Sequence, residues 1–199
     1  MAGLFETAPG GGAAIALDEV ETSILRSFAV QMLELIGPGP AGPAEGGEAD
    51  PLAALFAEGP SAPPDDPALA RLFPDAYGEP GKAPDDEQRS ASAEFRRFTE
   101  VDLRARKRDD ALAVVRSLDE LSAAGGGGGV LRLDAEQCRR WLGALNDLRL
   151  TLGARLEVTD DGEDERLYRL PDDDPAKPLV MAYLWLGAMQ ESLIEAVTA

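Results

Sequence analysis

The stretch RRWLGALNDLRLTLGARL, from Arg139 to Leu156, constrains the fold more than any other part of the chain. At about 100° per residue, Cys138, Leu145, Leu148, Leu152 and Leu156 fall within roughly 60° of Trp141, so the stretch reads as a helix with one buried stripe. Asp134, with Gln137 three residues on, supplies a capping box at its start. On the same projection Asp147, at about 240°, faces away from the stripe, and Asn146, at about 140°, borders it. Arg149 differs from both: at about 80° it lies inside the apolar arc.

The remaining chain continues the helical theme. Asp18 stands as an N-cap before EVETSILRSFAVQMLELIG, whose Val20, Ile24, Phe28, Met32, Leu35 and Ile36 share an arc that Gly37 closes. Asp50-Pro51 and Asp66-Pro67 each place a capping acid before a proline at the first helical position, predicting two short helices. A helical pattern from about Ser92 to Ala123 restarts at Thr99, which has capping-box spacing to Asp102. Phe95 and Phe98 anchor its first part; Leu112, Val115, Leu118 and Leu121 carry its second. Asp174-Pro175 opens a last helix, running to about Val197.

Strand signals are brief. Leu4–Phe5 and Ala13–Leu17, separated by a Pro-Gly-Gly-Gly turn, predict an N-terminal β-hairpin, and VLRL from Val130 a short strand. LEVTDDGEDERLYRL predicts a second hairpin at about residues 156–170. The expected fold is therefore mainly α: a single-domain helical bundle over residues 1–199 with short β-hairpin elements. Gly- and Pro-rich composition predicts flexible linkers at about 37–50, 78–90 and 124–129.

Composition removes whole classes of chemistry. The 199 residues include no histidine and one cysteine, Cys138. Ser-His-Asp and Cys-His nucleophile pairs, His-containing zinc sites and histidine pH switches are thereby excluded. No intrachain disulfide can form, which fits a reducing compartment, and the N-terminus has no secretory-signal pattern, so a cytoplasmic location is expected. The longest mostly apolar run, LVMAYLWLGAMQ, is short of the roughly 18 residues that suggest a spanning helix. With 37 acidic against 19 basic residues, net charge −18 and pI about 4.3, the chain repels phosphate backbones and anionic lipid. No nucleic-acid or membrane partner is favoured.

The motif-like stretches have plain readings. GGGGGVLRLD has no Lys-Ser or Lys-Thr after its glycines and precedes a strand, so it is a flexible connection and not a phosphate loop. DDGEDE puts Glu157, Thr159 and Tyr168 where an EF-hand pattern wants ligands, so that reading fails. In RARKRDD the Asp102–Arg106 and Arg106–Asp110 spacings predict pairing along one exposed helix face. Cys138 and Trp141 are core residues. No catalytic residue, cofactor or metal ligand set emerges.

Two features of the last helix complete the candidates. With Tyr183 at the centre, Leu179, Leu186, Ile194 and Val197 form a stripe in which Gln190 is central and Glu191 lies at the edge. A buried guanidinium needs partners, so Arg149 is expected to meet Gln190 and Glu191, or another carboxylate, across the helix interface, with Asn146 beside them. This polar latch either sets helix register or floors a binding pocket. Met181, Trp185 and Met189 form a second apolar strip, so the last helix is expected either to be central to the bundle or to expose a partner surface, through which homo-oligomers could form.

DPALARLFPDAY, EFRRFTEVDLR, WLGALNDLRLTLGARL and YLWLGAMQESLIEAV together resemble an uncharacterised actinobacterial domain-of-unknown-function family. The resemblance implies a gene neighbourhood near the Clp protease adaptor and a metal-dependent deubiquitinase-like peptidase. Some members are labelled transcriptional regulators. The expected function is a non-enzymatic, cytoplasmic, protein-binding or regulatory protein linked to regulated proteolysis. The alternative is a winged-helix-like transcriptional regulator, from the strand, helix and hairpin order over Val130–Leu170, although its wing would carry DDGEDE and repel DNA.

Overall fold

Local signals set the elements. The computed structural model describes residues 3–38, 59–79, 82–123, 128–158 and 169–199. Strands β1 (Glu6–Thr7) and β2 (Ala13–Leu17) form the N-terminal hairpin. Its turn holds Gly12 at φ 85°, where a Cβ would stand 2.1 Å from the Leu133 carbonyl oxygen, so only glycine fits. Strand β3 (Gly129–Leu133) adds to β2 in antiparallel register, Ala13 opposite Leu133 and Leu17 opposite Gly129. β2 is the central strand, and its alternate residues Ala13, Ile15 and Leu17 point into the core.

Five helices accompany this sheet among the described residues. Helix α1 (Glu19–Ile36) starts with a complete capping box between Asp18 and Glu21, and Gly37 ends it at φ 82°. Helix α2 (Pro67–Leu72) begins at the Asp66 cap, whose carboxylate accepts from the amides of Ala68 and Leu69. Helix α3 (Asp86–Ala123) follows, then α4 (Ala135–Arg155), capped by Asp134 with Gln137, and α5 (Lys177–Thr198). The core gathers around Trp141 of α4, which is fully buried and meets Phe5 edge-on at 5.8 Å. Leu25, Leu118, Leu145, Leu186 and Leu193 close around it.

Several expectations are corrected. Helix α3 is one continuous helix of 38 residues, and the Thr99 hydroxyl donates to the Phe95 carbonyl one turn back. A mid-helix threonine satisfies itself in this way, so capping-box spacing alone starts no new helix. The true start lies earlier, where Asp85 and Gln88 exchange the two bonds of a capping box, so the linker expected over 78–90 is partly helix. The strand β3 likewise begins at Gly129, inside the linker expected at 124–129. Phe95 and Phe98 are exposed at 44% and 62%, so they do not anchor the core. Helix α5 begins at Lys177, because the Asp174 carboxylate is used on the amide of Ala176 in the preceding turn.

The buried faces of α1 and α5 are also turned from those expected. Helix α1 buries Thr22, Leu25, Ala29, Met32 and Ile36, and leaves Val20 64% and Ile24 39% exposed. Small residues at Thr22 and Ala29 permit close approach to neighbours, which outweighs the larger side chains on the adjacent arc. Helix α5 buries Leu186, Met189, Leu193 and Ala196, whereas Ile194 and Val197 face out. The short helix expected at Pro51 and the tip of the hairpin expected at 156–170 lie outside the described residues, as does most of the linker expected at 37–50. β3 pairs with β2 of the N-terminal hairpin, and the wing expected after α4 lies largely outside the described residues. Among the described residues no helix is long and apolar enough to cross a membrane.

Candidate functional site

Helices α4 and α5 pack antiparallel, with Gly153 beside Tyr183 and Arg149 beside Gly187. Arg149 reaches across this seam, where its Nη1 donates to Gln190 Oε1 at 2.7 Å. Its Cζ stands 5.5 Å from the centre of the Tyr183 ring, a cation–π contact. Gly187 makes room: a Cβ there would lie 3.4 Å from Arg149 Nε. That Nε is buried and has no hydrogen-bond partner among the described residues.

Glu191 shares with Arg149, Gln190 and Tyr183 the lining of an open cavity of about 710 Å³. It is exposed, and the hydrogen bond of Arg149 across the seam goes to Gln190 instead. Asn146 is exposed too; its Nδ2 donates to Asp147 Oδ1 at 3.4 Å, and it lines a second cavity with Arg149 and Tyr183. The junction is thus Arg149, Gln190 and Tyr183.

Asp147, expected at the surface, is 3% exposed, and its Oδ1 accepts from Lys107 Nζ at 2.6 Å. Helix α3 covers this second side of α4, which a single-stripe projection cannot register. In the basic cluster from which Lys107 comes, Arg104 and Arg108 also turn inward, while Arg106 stays exposed and acts electrostatically on Asp110 one turn on. Arg104 donates to Glu100 and to the carbonyl of Ile36, and Arg108 to the carbonyls of Leu33 and Gly37. These bonds satisfy the open end of α1, where carbonyls lack helical partners. Arg96 completes the network by pairing with Glu100 at 2.5 Å and Asp75 at 2.8 Å.

The expected partner strip divides. Met189 is fully buried in the core, because α5 turns it toward α4 and the sheet. Met181 is 55% exposed and Trp185 is half-buried. Together with Ile24 and Phe28 of α1, and Pro178 and Leu179, they line an open apolar groove of about 610 Å³. The groove follows from the two turned helices: once α1 commits Thr22 and Ala29 inward, Ile24 and Phe28 must face the gap beside α5. Sequence reasoning placed both side chains in the core and missed the groove; Phe28, half-buried, packs against the core as well as lining the groove, whereas Ile24 is exposed. The signal available was a second arc on α1, Thr22, Leu25 and Ala29 running into Met32 and Ile36, which competes with the arc through Ile24 and Phe28.

Charge around the groove is acidic. Glu21 lines one wall. Asp172 and Asp173 stand exposed just before Pro175, another lining residue; Lys177 nearby lies 3.9 Å from Asp172 and donates to the Leu170 carbonyl. Cys138, in contrast, is 2% exposed with its Sγ near the Leu133 carbonyl, and burial pushes its thiol above the ordinary range. Among the described residues no three His, Cys, Asp or Glu side chains converge as a metal site would.

Comparison with known proteins adds a family and a set of relatives. Residues 2–197 match the model of a domain of unknown function, DUF2017. A Mycobacterium tuberculosis (strain H37Rv) protein named oxidative stress regulator AosR is 34% identical over 137 residues, covering 66% of this chain and 58% of its own. The Mycobacterium bovis protein of the same name matches equally. A relative from Mycobacterium leprae is 32% identical over 146 residues, covering 68% of this chain and 60% of its own. The chain thus spans about three-fifths of the length of the curated relatives it matches. No solved structure matches it.

Proposed function

The chain belongs to the DUF2017 family, a domain of unknown function, and from that premise we propose that it is a regulatory protein that acts by binding another protein and not by catalysis. The names of its mycobacterial relatives support regulation in oxidative stress. The observation that carries the reading is the α1/α5 groove, an open apolar surface in an acidic frame. Such a patch on a chain of net charge −18 suits one kind of occupant: a partner's amphipathic helix with an apolar face and Lys or Arg on its flanks. The same charge opposes DNA and anionic membranes.

Selection from a displayed library of random helical peptides tests this reading. Enriched sequences are expected to carry large apolar residues at i, i+3 or i+4, and i+7 with basic flanks, and to lose binding to the Ile24→Glu variant. Acidic winners, or winners indifferent to Ile24→Glu, would overturn it. Regulated proteolysis as the setting rests on the resemblance to a family encoded beside the Clp adaptor, and is tested by adding purified Clp adaptor to the same assay.

A further inference from the structure

The sulfur atoms of this chain are not equally available. Cys138 is 2% exposed, Met32 is 2% exposed and Met189 is fully buried, whereas Met181 is 55% exposed on the wall of the α1/α5 groove. Among the described residues it is the one sulfur that a small oxidant meets without the fold opening. Burial also holds Cys138 in its thiol form, and the thiol is a far poorer nucleophile than the thiolate. A thioether needs no such activation: it has no proton to lose.

We propose that Met181 is an oxidative modification site, converted by a peroxide to methionine sulfoxide, and that the modification disables the groove. The sulfur lone pair attacks the terminal peroxide oxygen. An S–O bond forms as the O–O bond breaks, and the departing oxygen takes up a proton to leave as water or an alcohol. Sulfur is oxidised by one electron pair and the peroxide reduced by the same pair. The product is a polar, hydrogen-bond-accepting sulfoxide where an apolar side chain stood.

Position makes the change consequential. Met181 and Trp185 are i,i+4 neighbours on α5 and lie on the same helix face. Both line the groove with Ile24 and Phe28. An apolar occupant seated there would have to strip water from the sulfoxide oxygen without offering a donor in return, so docking weakens. A methionine sulfoxide reductase restores the thioether. The consequence for docking rests on the groove being the partner surface; the reactivity of Met181 does not.

The test treats the folded full-length protein with hydrogen peroxide and follows each sulfur by peptide mass mapping, with Met181→Leu and Cys138→Ser alongside. Wild type is expected to gain one oxygen at Met181 before Met32, Met189 or Cys138 reacts. Binding of a helical Leu/Lys amphipathic peptide is expected to weaken about tenfold on treatment, in wild type and Cys138→Ser alike, while Met181→Leu binds equally before and after. Oxidation of Cys138 first, or equal sensitivity of Met181→Leu, overturns the proposal. If untreated protein does not bind the peptide, the docking reading fails. The modification is then judged by the mapping and by tryptophan emission, which must shift on oxidation in wild type but not in Met181→Leu. An unshifted emission overturns it.

Discussion

Arg149 of α4 donates to Gln190 of α5 at 2.7 Å, a charged donor meeting a neutral acceptor across the main helix seam. The guanidinium is half-buried and rests against Tyr183. Gln190→Leu and Arg149→Met are each expected to cost about 1–2 kcal/mol, with a coupling of about 1 kcal/mol in a double-mutant cycle measured by urea unfolding. Additive losses would mean that the bond contributes nothing of its own.

A larger loss is expected at Lys107. Its ammonium neutralises Asp147, whose side chain is 4% exposed. Lys107→Met leaves a buried carboxylate without its partner, a loss of about 3 kcal/mol. Asp119, paired with Arg26 at the open surface, is the control, and Asp119→Ala should leave the unfolding midpoint unchanged. Equal effects at the two sites would contradict the burial assigned to Asp147.

The caps at Asp18, Asp66 and Asp134 were legible because capping is local: a side chain meets an amide two or three residues away. The Arg149 to Gln190 proximity could be read because both residues interrupt apolar runs on long helices. The inward turn of Asp147, the burial of Met189 and the exposure of Ile24 were not legible in the same way. Each depends on which neighbour covers which face, and a helix covered on two sides has no single stripe to project. The groove, formed by what α1 and α5 leave unburied, inherits that difficulty.

Asp110 carries a pH dependence of definite sign. It packs against α4 at Gly143, and burial raises its carboxyl pKa despite the opposing pull of Arg106 and Arg140. An acid whose folded value is raised favours folding when protonated. Its contribution is full below the unfolded value and falls as pH rises through the folded one. Asp110→Asn is therefore expected to be more stable than wild type at about pH 7 and to lose that advantage at about pH 3. The measurement is urea unfolding at both pH values, and an advantage present only in acid would reverse the assignment.

Cys138 is expected to react with thiol reagents only as fast as the protein opens. Its labelling rate should rise with added urea in step with the population of open forms. Rapid labelling of the native state, independent of denaturant, would place the thiol at the surface.

The most direct measurement of the docking groove is hydrogen exchange of the full-length protein with and without the Leu/Lys amphipathic peptide. Protection is expected in α1 around Ile24 and Phe28 and in α5 from Leu179 to Trp185, and an acidic isomer of the peptide should give none. Protection confined to the Arg149–Gln190 seam, or equal protection by the acidic isomer, would contradict it.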